Sequence, residues 1–380
     1  MAYDVGIIGA GVHGVSAAFH LARRGVSTVV FDRGAPGCGP TGRSGAICRA
    51  YYTDAFLAEV ARDGIAFLAD FGERTGGGQS GFRRTGAFYL HGPGDVSTAK
   101  DTAVRLGGGG ELVAADALTH LDTEGVAVAV WEPGAGYADP VSTTLGLAEA
   151  ARRHGAEIQA HRPVVAIDEG PGGVAVTTAD GSVHRLGALL VAAGPWTAPL
   201  LRPLGIDLPL TVERHVVAVL EHDPADAAGL VPHVLIDVAG GYYSTPQPRT
   251  QYLVGGVVPA SPADPDDFVR TAAPEETARL AAAAARRSPA RRRALPAGGW
   301  ASLYDVSPDW QPVAGQVSER IHVDAGTSGH GFKLAPAWGD HVARLLVGDD
   351  VDPRLAAFAP SRFDGGAELA AGFGAARILG

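Results

Sequence analysis

Val5-Gly6-Ile7-Ile8-Gly9-Ala10-Gly11-Val12-His13-Gly14 opens the chain, and Val26 to Asp32 completes the unit it begins. Val5–Ile8 is a short apolar run of the kind that forms a buried strand. Three glycines follow, and then Val15, Ala18, Phe19 and Ala22 recur at helical spacing on one face. Arg23-Arg24-Gly25 predicts the helix end, because cations suit the negative terminus and glycine accepts a left-handed cap. Val26–Phe31 reads as a second strand closing on Asp32. Strand, glycine turn, helix, strand and acid within about 30 residues form a dinucleotide site. Gly9 permits the tight turn, Gly11 lets a pyrophosphate approach the backbone, and Gly14 lets helix and strand pack closely. The helix N-terminus offers amide donors and a positive dipole, and Asp32 lies where a carboxylate meets a ribose hydroxyl pair. His13 lies inside the turn and reads as a surface histidine. Gly76-Gly77-Gly78-Gln79-Ser80-Gly81 has the same glycine spacing, but no strand precedes it and no helix follows, so it reads as a loop.

The 380 residues carry 31 basic and 41 acidic side chains, a net charge of −10, which argues against a nucleic-acid surface. The one dense basic cluster, Arg286–Arg287 and Arg291–Arg293, reads as a solvated helix end within an alanine- and arginine-rich helical segment at 275–293. Cys38 and Cys48 are the only cysteines, so neither a disulfide framework nor a cysteine-built metal site is expected. No apolar run approaches the roughly 18 residues of a membrane span, and the reading is a cytoplasmic protein. Lysine occurs only at Lys100 and Lys333; every other basic residue is arginine.

Further along, Gly39-Pro40-Thr41-Gly42-Arg43-Ser44-Gly45-Ala46-Ile47-Cys48-Arg49-Ala50-Tyr51-Tyr52 is dense in small and polar groups, suiting a phosphate cradle. Asp139-Pro140 precedes a helix with Leu145, Leu147, Ala148 and Ala151 on its apolar face, ending at His154-Gly155. Val164–Ile167 reads as a strand. Val174–Thr178 and Ser182–Leu186 flank Ala179-Asp180-Gly181, a hairpin signal, and Leu189–Ala193 reads as a buried parallel strand. Alternating stretches at 211–221 and 249–258 predict a strand-rich region. The expected organisation is α/β, with two interleaved domains: a Rossmann-like nucleotide domain at 1–83, 139–198 and 302–380, and a β-rich (α+β) substrate domain at 84–138 and 199–301. No second glycine unit exists, so a chain binding both FAD and NAD(P)H is not expected.

The chain resembles the FAD-dependent amine and amino-acid oxidases of the sarcosine oxidase, glycine oxidase and D-amino-acid oxidase type. The resemblance rests on the nucleotide unit, the Thr41–Arg49 segment, Gly136-Tyr137-Ala138-Asp139-Pro140, Ala192-Ala193-Gly194-Pro195-Trp196 and Ser328-Gly329-His330-Gly331-Phe332-Lys333. It implies FAD held non-covalently. It implies cofactor contacts from Gly9, Gly11, Val12, His13, Gly14, Asp32 and Arg33, and from Thr41, Gly42, Arg43, Ser44, Gly45 and Ala46. Val164, Val165, Ala193, Gly194 and Trp196 would add to these, with Gly329, His330, Gly331, Phe332 and Lys333. It further implies catalytic or substrate-holding roles for Arg49, Lys333, His330, Tyr243 and Tyr304. Arg49 and Lys333 would hold a substrate carboxylate, and His330 would stabilise negative charge on the reduced flavin. A lysine at 333, in a chain that uses arginine almost everywhere a cation is wanted, itself suggests a need for a compact ammonium that arginine's fork does not meet.

Two departures stand out. Ser302 occupies the place of the cysteine that tethers flavin in monomeric sarcosine oxidase. No lysine lies in Gln251–Gly255, where the resemblance would place an oxygen-activating one; Lys333, His330 or Arg249 would have to supply that charge. The expected function is FAD-dependent oxidation of a C–N bond in an amino acid or N-substituted amino acid, giving an imine that hydrolyses, with O2 or another acceptor taking the electrons. The alternatives are an FAD-dependent α-hydroxy-acid oxidase or dehydrogenase, and a nucleotide-binding protein without turnover.

Overall fold

The computed structural model describes residues 2–106, 109–222, 231–248, 250–366, 368–369, 372–374 and 376–379. Arg249 lies outside them. The opening unit folds as its sequence dictates. Strand β1 (Ala2–Ile8) leads through the glycine turn into helix α1 (Val12–Arg23), and the chain returns in strand β2 (Thr28–Phe31), two residues later than the apolar run begins. β1 and β2 pair in parallel, with Ile8 opposite Phe31.

These strands sit inside an eight-stranded sheet. Val183–Val191 lies beside β1 in parallel, with Ile8 opposite Val191, and Glu157–Gln159 flanks β2. The far edge of Val183–Val191 is shared. Its first half forms the expected hairpin with Gly173–Thr178, which pairs in turn with Val164–Gly170, while its second half runs parallel to Ile321–Ala325. The parallel strands are runs of Val, Ile and Leu because both their faces are covered.

Helix α1 is buried on nearly every side, not on one face as its spacing predicts, because helices Pro140–Arg153 and Ala335–Val347 both pack on it. Its polar residues are satisfied across those contacts: Ser16 Oγ donates to the Ala335 carbonyl at 2.7 Å, and His20 Nε2 lies 2.8 Å from the Pro336 carbonyl. Asp139 caps helix Pro140–Arg153 by accepting from the Ser142 amide, with Pro140 at its first position. Leu147, Ala148 and Ala151 are buried there as expected, but Leu145 is exposed.

The second sheet has nine strands among the described residues. Leu295–Val306 pairs along almost the whole of Thr211–Glu221, which continues through Gln251–Gly256, Tyr242–Pro246, Val234–Asp237, Ala87–His91 and Val128–Glu132. Leu295–Val306 is unbroken, so the boundary expected at 302 falls inside a strand. Helix Pro274–Arg287 covers the outer face of this sheet. The basic cluster at its end is not simply solvated. Arg287 is buried and forms a two-point ion pair with Asp237, while also donating to the Asp122 and Glu124 carbonyls. Arg291 is buried too, with its guanidinium 4.7 Å over the Tyr252 ring. The Gly76–Gly81 segment is a turn and loop, as read.

Candidate cofactor and substrate site

A cavity of about 820 Å³ lies between the two sheets, starting at the glycine turn. Gly9 adopts φ +111°, open to glycine alone, and a Cβ there would run into the Ala192 carbonyl. A Cβ on Gly14 would strike the Gly9 carbonyl, so helix and turn touch backbone to backbone. No side chain caps α1, and its first amides face the cavity region; only the Val12 amide has a side-chain acceptor, Thr41 Oγ1 at 3.3 Å. Asp32 closes the turn from β2, accepting from the Ala10 and Gly34 amides at 2.7 Å each. A buried glycine cradle, an uncapped helix N-terminus and an acid at the end of β2 fit the pyrophosphate and ribose of a dinucleotide.

Most of the expected contacts line this cavity: Gly9, Gly11, Val12, His13, Asp32, Arg33, Thr41, Arg43, Ser44, Gly45, Val164, Ala193, Gly194, Trp196, Gly329, Gly331 and Phe332. Gly14 and Gly42 stand behind its wall, where a Cβ on Gly42 would meet the Gly37 carbonyl. Val165 is a correction: strand alternation turns it outward, 62% exposed, while Val164 faces in. Ser302 lines the cavity, as does exposed Cys38. The sequence reading missed the far rim. Arg33 stacks on Trp196 at 3.8 Å, and Asp266 accepts from both at 2.9 Å, joining the end of β2 to the 264–268 segment across the opening.

A smaller pocket of about 50 Å³ adjoins it. One water-sized group needs roughly 10–15 Å³, so the pocket takes only a few such groups. Arg49, Lys333, His330, Ala46, Tyr243 and Tyr304 all line it. Arg49 is buried and donates to the Tyr51 and Ile378 carbonyls. Its guanidinium lies 4.5 Å over the Tyr52 ring, and Lys333 Nζ lies 5.6 Å from the same ring. Tyr52, quoted in the sequence but given no role, is thus the platform for both side chains. Burial above all, then Arg49, holds the Lys333 ammonium well below its ordinary range. Behind them sits Glu132, also missed. It accepts from the Ala50 amide at 2.7 Å and the Tyr89 hydroxyl at 2.6 Å. Burial raises its carboxyl while those donors pull it back. An acid closing the apolar run Val128–Glu132 was the available signal.

His330 differs from expectation. Nε2 lies 2.8 Å from the Trp310 carbonyl, so it carries the proton, and Nδ1 accepts from the Tyr52 hydroxyl at 3.1 Å. Burial, then Lys333, depresses its pKa strongly. The ring is neutral and both nitrogens are engaged, leaving no free N–H for charge on a flavin. Tyr243 and Tyr304 pack on glycines: a Cβ at Gly255 or Gly329 would collide with their rings. Burial pushes the Tyr243 phenol up to about 12 and that of Tyr304 well above its usual value, so both stay protonated. His215, missed by sequence, stacks on Tyr304 at 3.8 Å. Burial also pushes the Cys48 thiol up to about 12, which makes it inert.

His13 is not on the surface. Nδ1 lies 3.0 Å from Asp324 Oδ2 and Nε2 3.1 Å from the Gly331 carbonyl, so both nitrogens act as donors to these oxygens. Burial opposes the charge, but Asp324 and the Gly331 carbonyl raise the pKa above its ordinary value. This imidazolium ties the nucleotide turn to the loop carrying Lys333. That loop is strained: Ser328 (φ 49°), with Ala46 (φ 46°) and Trp310 (φ 61°), accounts for three of the four non-glycine residues at positive φ among the described residues.

A dinucleotide cavity of this build ends at a small pocket lined by the buried Arg49 guanidinium and the buried Lys333 side chain, an arrangement that fits a nucleotide cofactor beside a small anionic ligand. A family model described as FAD-dependent oxidoreductase matches residues 4–345, and the chain belongs to that family. It is an FAD-dependent oxidoreductase of α/β fold. It is 30% identical over 98% of its length to the tRNA 5-methylaminomethyl-2-thiouridine biosynthesis bifunctional protein of Maricaulis maris (strain MCS10), of which it spans only 57%. It is 26% identical to the monomeric sarcosine oxidase of Bacillus sp. (strain B-0618), over 95% of this chain and 96% of that one. Among solved structures, L-proline dehydrogenase from P. horikoshii superposes with a TM-score of 0.87 at 25% identity, over 97% and 99% of the two chains.

Proposed function

We propose that this protein oxidises the C–N bond of a small, neutral amino acid or N-alkyl amino acid whose carboxylate lies between Arg49 and Lys333. The observation that carries this reading is the buried Arg49 guanidinium and Lys333 Nζ on the Tyr52 ring, in a pocket lined, among the described residues, by no acidic side chain. A carboxylate fits that pair; the ammonium of a basic side chain would find no partner there. The pocket's volume and its Ile236, Val257, Ile378 and Leu379 walls favour a short or apolar side chain. Sarcosine and proline, in the names of two similar proteins, are small amino acids with a secondary amine.

FAD, when bound, supplies the acceptor for the hydride leaving the carbon next to nitrogen. The residues that would hold it are the Gly9–Gly14 turn, Asp32, the Thr41–Gly45 segment, the Ala193–Trp196 turn and the Gly329–Phe332 loop. The larger cavity would be the cofactor part and the Tyr243–Gly255 face of the second sheet the substrate part. Arg49 and Lys333 orient the substrate by its carboxylate, which leaves the α-carbon as the part free to face the cofactor. Tyr243 and Tyr304 shield that region from water and offer protonated hydroxyls. His330, through Tyr52, fixes the platform. Loss of hydride and of the amine proton leaves an imine, which water splits into a carbonyl compound and an amine. Oxidation of an α-hydroxy acid would need a base for a far weaker acid than an ammonium, and among the described residues the pocket's one histidine has both nitrogens engaged.

The test is anaerobic addition of substrates to the FAD-loaded enzyme, read as loss of the flavin absorbance. Glycine, sarcosine and proline are the expected set within which bleaching occurs, while lactate and lysine leave the colour intact. Bleaching by lactate but by no amino acid would replace this reading with the hydroxy-acid one.

A further inference from the structure

We propose that Lys333 stands uncharged in the ligand-free pocket and takes the proton from the substrate's ammonium as the substrate binds. This rests on the carboxylate pocket described above and adds the fate of a proton to it. An amine must be neutral to lose hydride from its neighbouring carbon, yet an amino acid in water carries its nitrogen as an ammonium. A group in the site has to accept that proton.

The groups facing Lys333 are few. They are Arg49, Glu132 and Cys48 from the strands and turns behind it, and Tyr52 and His330 beside it. Each except Lys333 is already committed. Arg49 is permanently charged. Glu132 has a donor on each carboxylate oxygen, the arrangement of an ionised carboxylate. Burial keeps the protons on Cys48 and Tyr52. His330 has both nitrogens engaged. With Arg49 positive, Glu132 negative and Lys333 neutral, the buried set sums to zero. Lys333 itself is 4% exposed, and no described residue accepts a hydrogen bond from its Nζ. A buried ammonium without an acceptor, next to a guanidinium, gives up its proton.

A bound carboxylate changes that balance by one negative charge, and one proton on Lys333 restores it. The zwitterion carries that proton. It leaves the substrate nitrogen and bonds to Nζ, giving a neutral amine, a carboxylate and a lysine ammonium. No other bond changes, and no proton comes from solvent. Arginine at this position would carry charge for the carboxylate but accept no proton, which gives the chain's sparing use of lysine a second chemical reason.

The experiment is calorimetric titration of the FAD-loaded enzyme near pH 8, in buffers of different ionisation enthalpy, to count protons exchanged on binding. Methoxyacetate, a sarcosine analogue with no ionisable nitrogen, is expected to draw about one proton per site from the buffer. 2-Methylalanine has no α-hydrogen to lose and brings its own ammonium; it should draw none. Lys333→Arg should bind methoxyacetate with no uptake. Binding by the wild type without uptake overturns the inference and leaves the carboxylate pocket standing. Uptake undiminished in Lys333→Arg transfers the role to another group and also overturns it. No saturable binding of methoxyacetate removes the pocket reading and the inference together. Should Lys333→Arg fail to fold, Cε-labelled lysine in the wild type decides by NMR. Of two signals, the Lys100 signal stays as reference, while the Lys333 signal moves from the amine to the ammonium position on adding methoxyacetate. A Lys333 signal already at the ammonium position in the free enzyme overturns the proposal.

Discussion

His13 is the residue whose surroundings change its meaning most. With both ring nitrogens donating, to Asp324 and to the Gly331 carbonyl, it is stabilised as the cation. Its folded pKa is raised, so its contribution to stability is full below about 6.5, its unfolded value, and is lost as pH rises through the folded one. The melting temperature of His13→Gln should therefore fall furthest below wild type in mild acid. The gap should narrow with rising pH, as thermal melts across the range would show; a gap independent of pH would mean a neutral ring. For Arg49→Ala, and separately for Lys333→Met, losing a charged hydrogen bond to the substrate should weaken binding by about 1.5–3 kcal/mol, roughly tenfold to a hundredfold. Flavin absorbance titrations with an unreactive carboxylate measure this, and FAD should stay bound. Unchanged affinity in both would remove these residues from the substrate.

At the scale of elements, helix Pro274–Arg287 meets the second sheet through Leu280 and Ala284, the Arg214–Glu276 ion pair and one buried arginine, Arg287. Removing Arg287 leaves Asp237 buried without its partner, so Arg287→Ala should cost about 3–5 kcal/mol in denaturant unfolding. Its exposed neighbour is the control: Arg286→Ala should change stability by less than about 0.5 kcal/mol. Sequence could not separate these two, because side-by-side arginines on a helix differ only in which way the turn points them, and that is decided by the strand they meet. The opening unit was legible for the opposite reason. β1, the glycine turn, α1 and Asp32 interact within one short stretch, so their pattern carries their geometry. Arg49, Lys333, Tyr243 and Tyr304 were found through a resemblance in the sequence and do meet in one pocket. Tyr52, Glu132, Asp266 and His215 were missed because their partners come from distant segments and no local spacing marks such a contact.

At the scale of the molecule, the chain is built around one long cavity between two sheets, and what lines it sets how electrons leave and how the flavin is kept. Its basic lining among the described residues includes Arg33, Arg43 and Arg270, with no lysine, while Lys100 is exposed on the distant helix Val96–Arg105. Stabilising the charge that forms when oxygen takes electrons calls for a nearby cation, and Lys333 lines the smaller pocket, where the proposed substrate would engage it. Reoxidation in air-saturated buffer should be slow, and an artificial acceptor should raise turnover. Fast reoxidation in stopped flow, unaffected by Lys333→Met, would assign oxygen activation to another group. Ser302 lines the cavity where a tethering thiol would be needed, so acid precipitation should leave the yellow colour in the supernatant; a yellow pellet would reveal a covalent link elsewhere. The two thiols complete this picture. Cys48 is sealed and protonated, whereas Cys38 is exposed on the cavity wall, beside the turn that would receive the pyrophosphate. A coloured thiol reagent therefore meets one sulfur per chain, and meets it only while that wall is bare. Its rate of incorporation becomes a gauge of what fraction of a preparation carries its nucleotide, readable without any knowledge of the substrate.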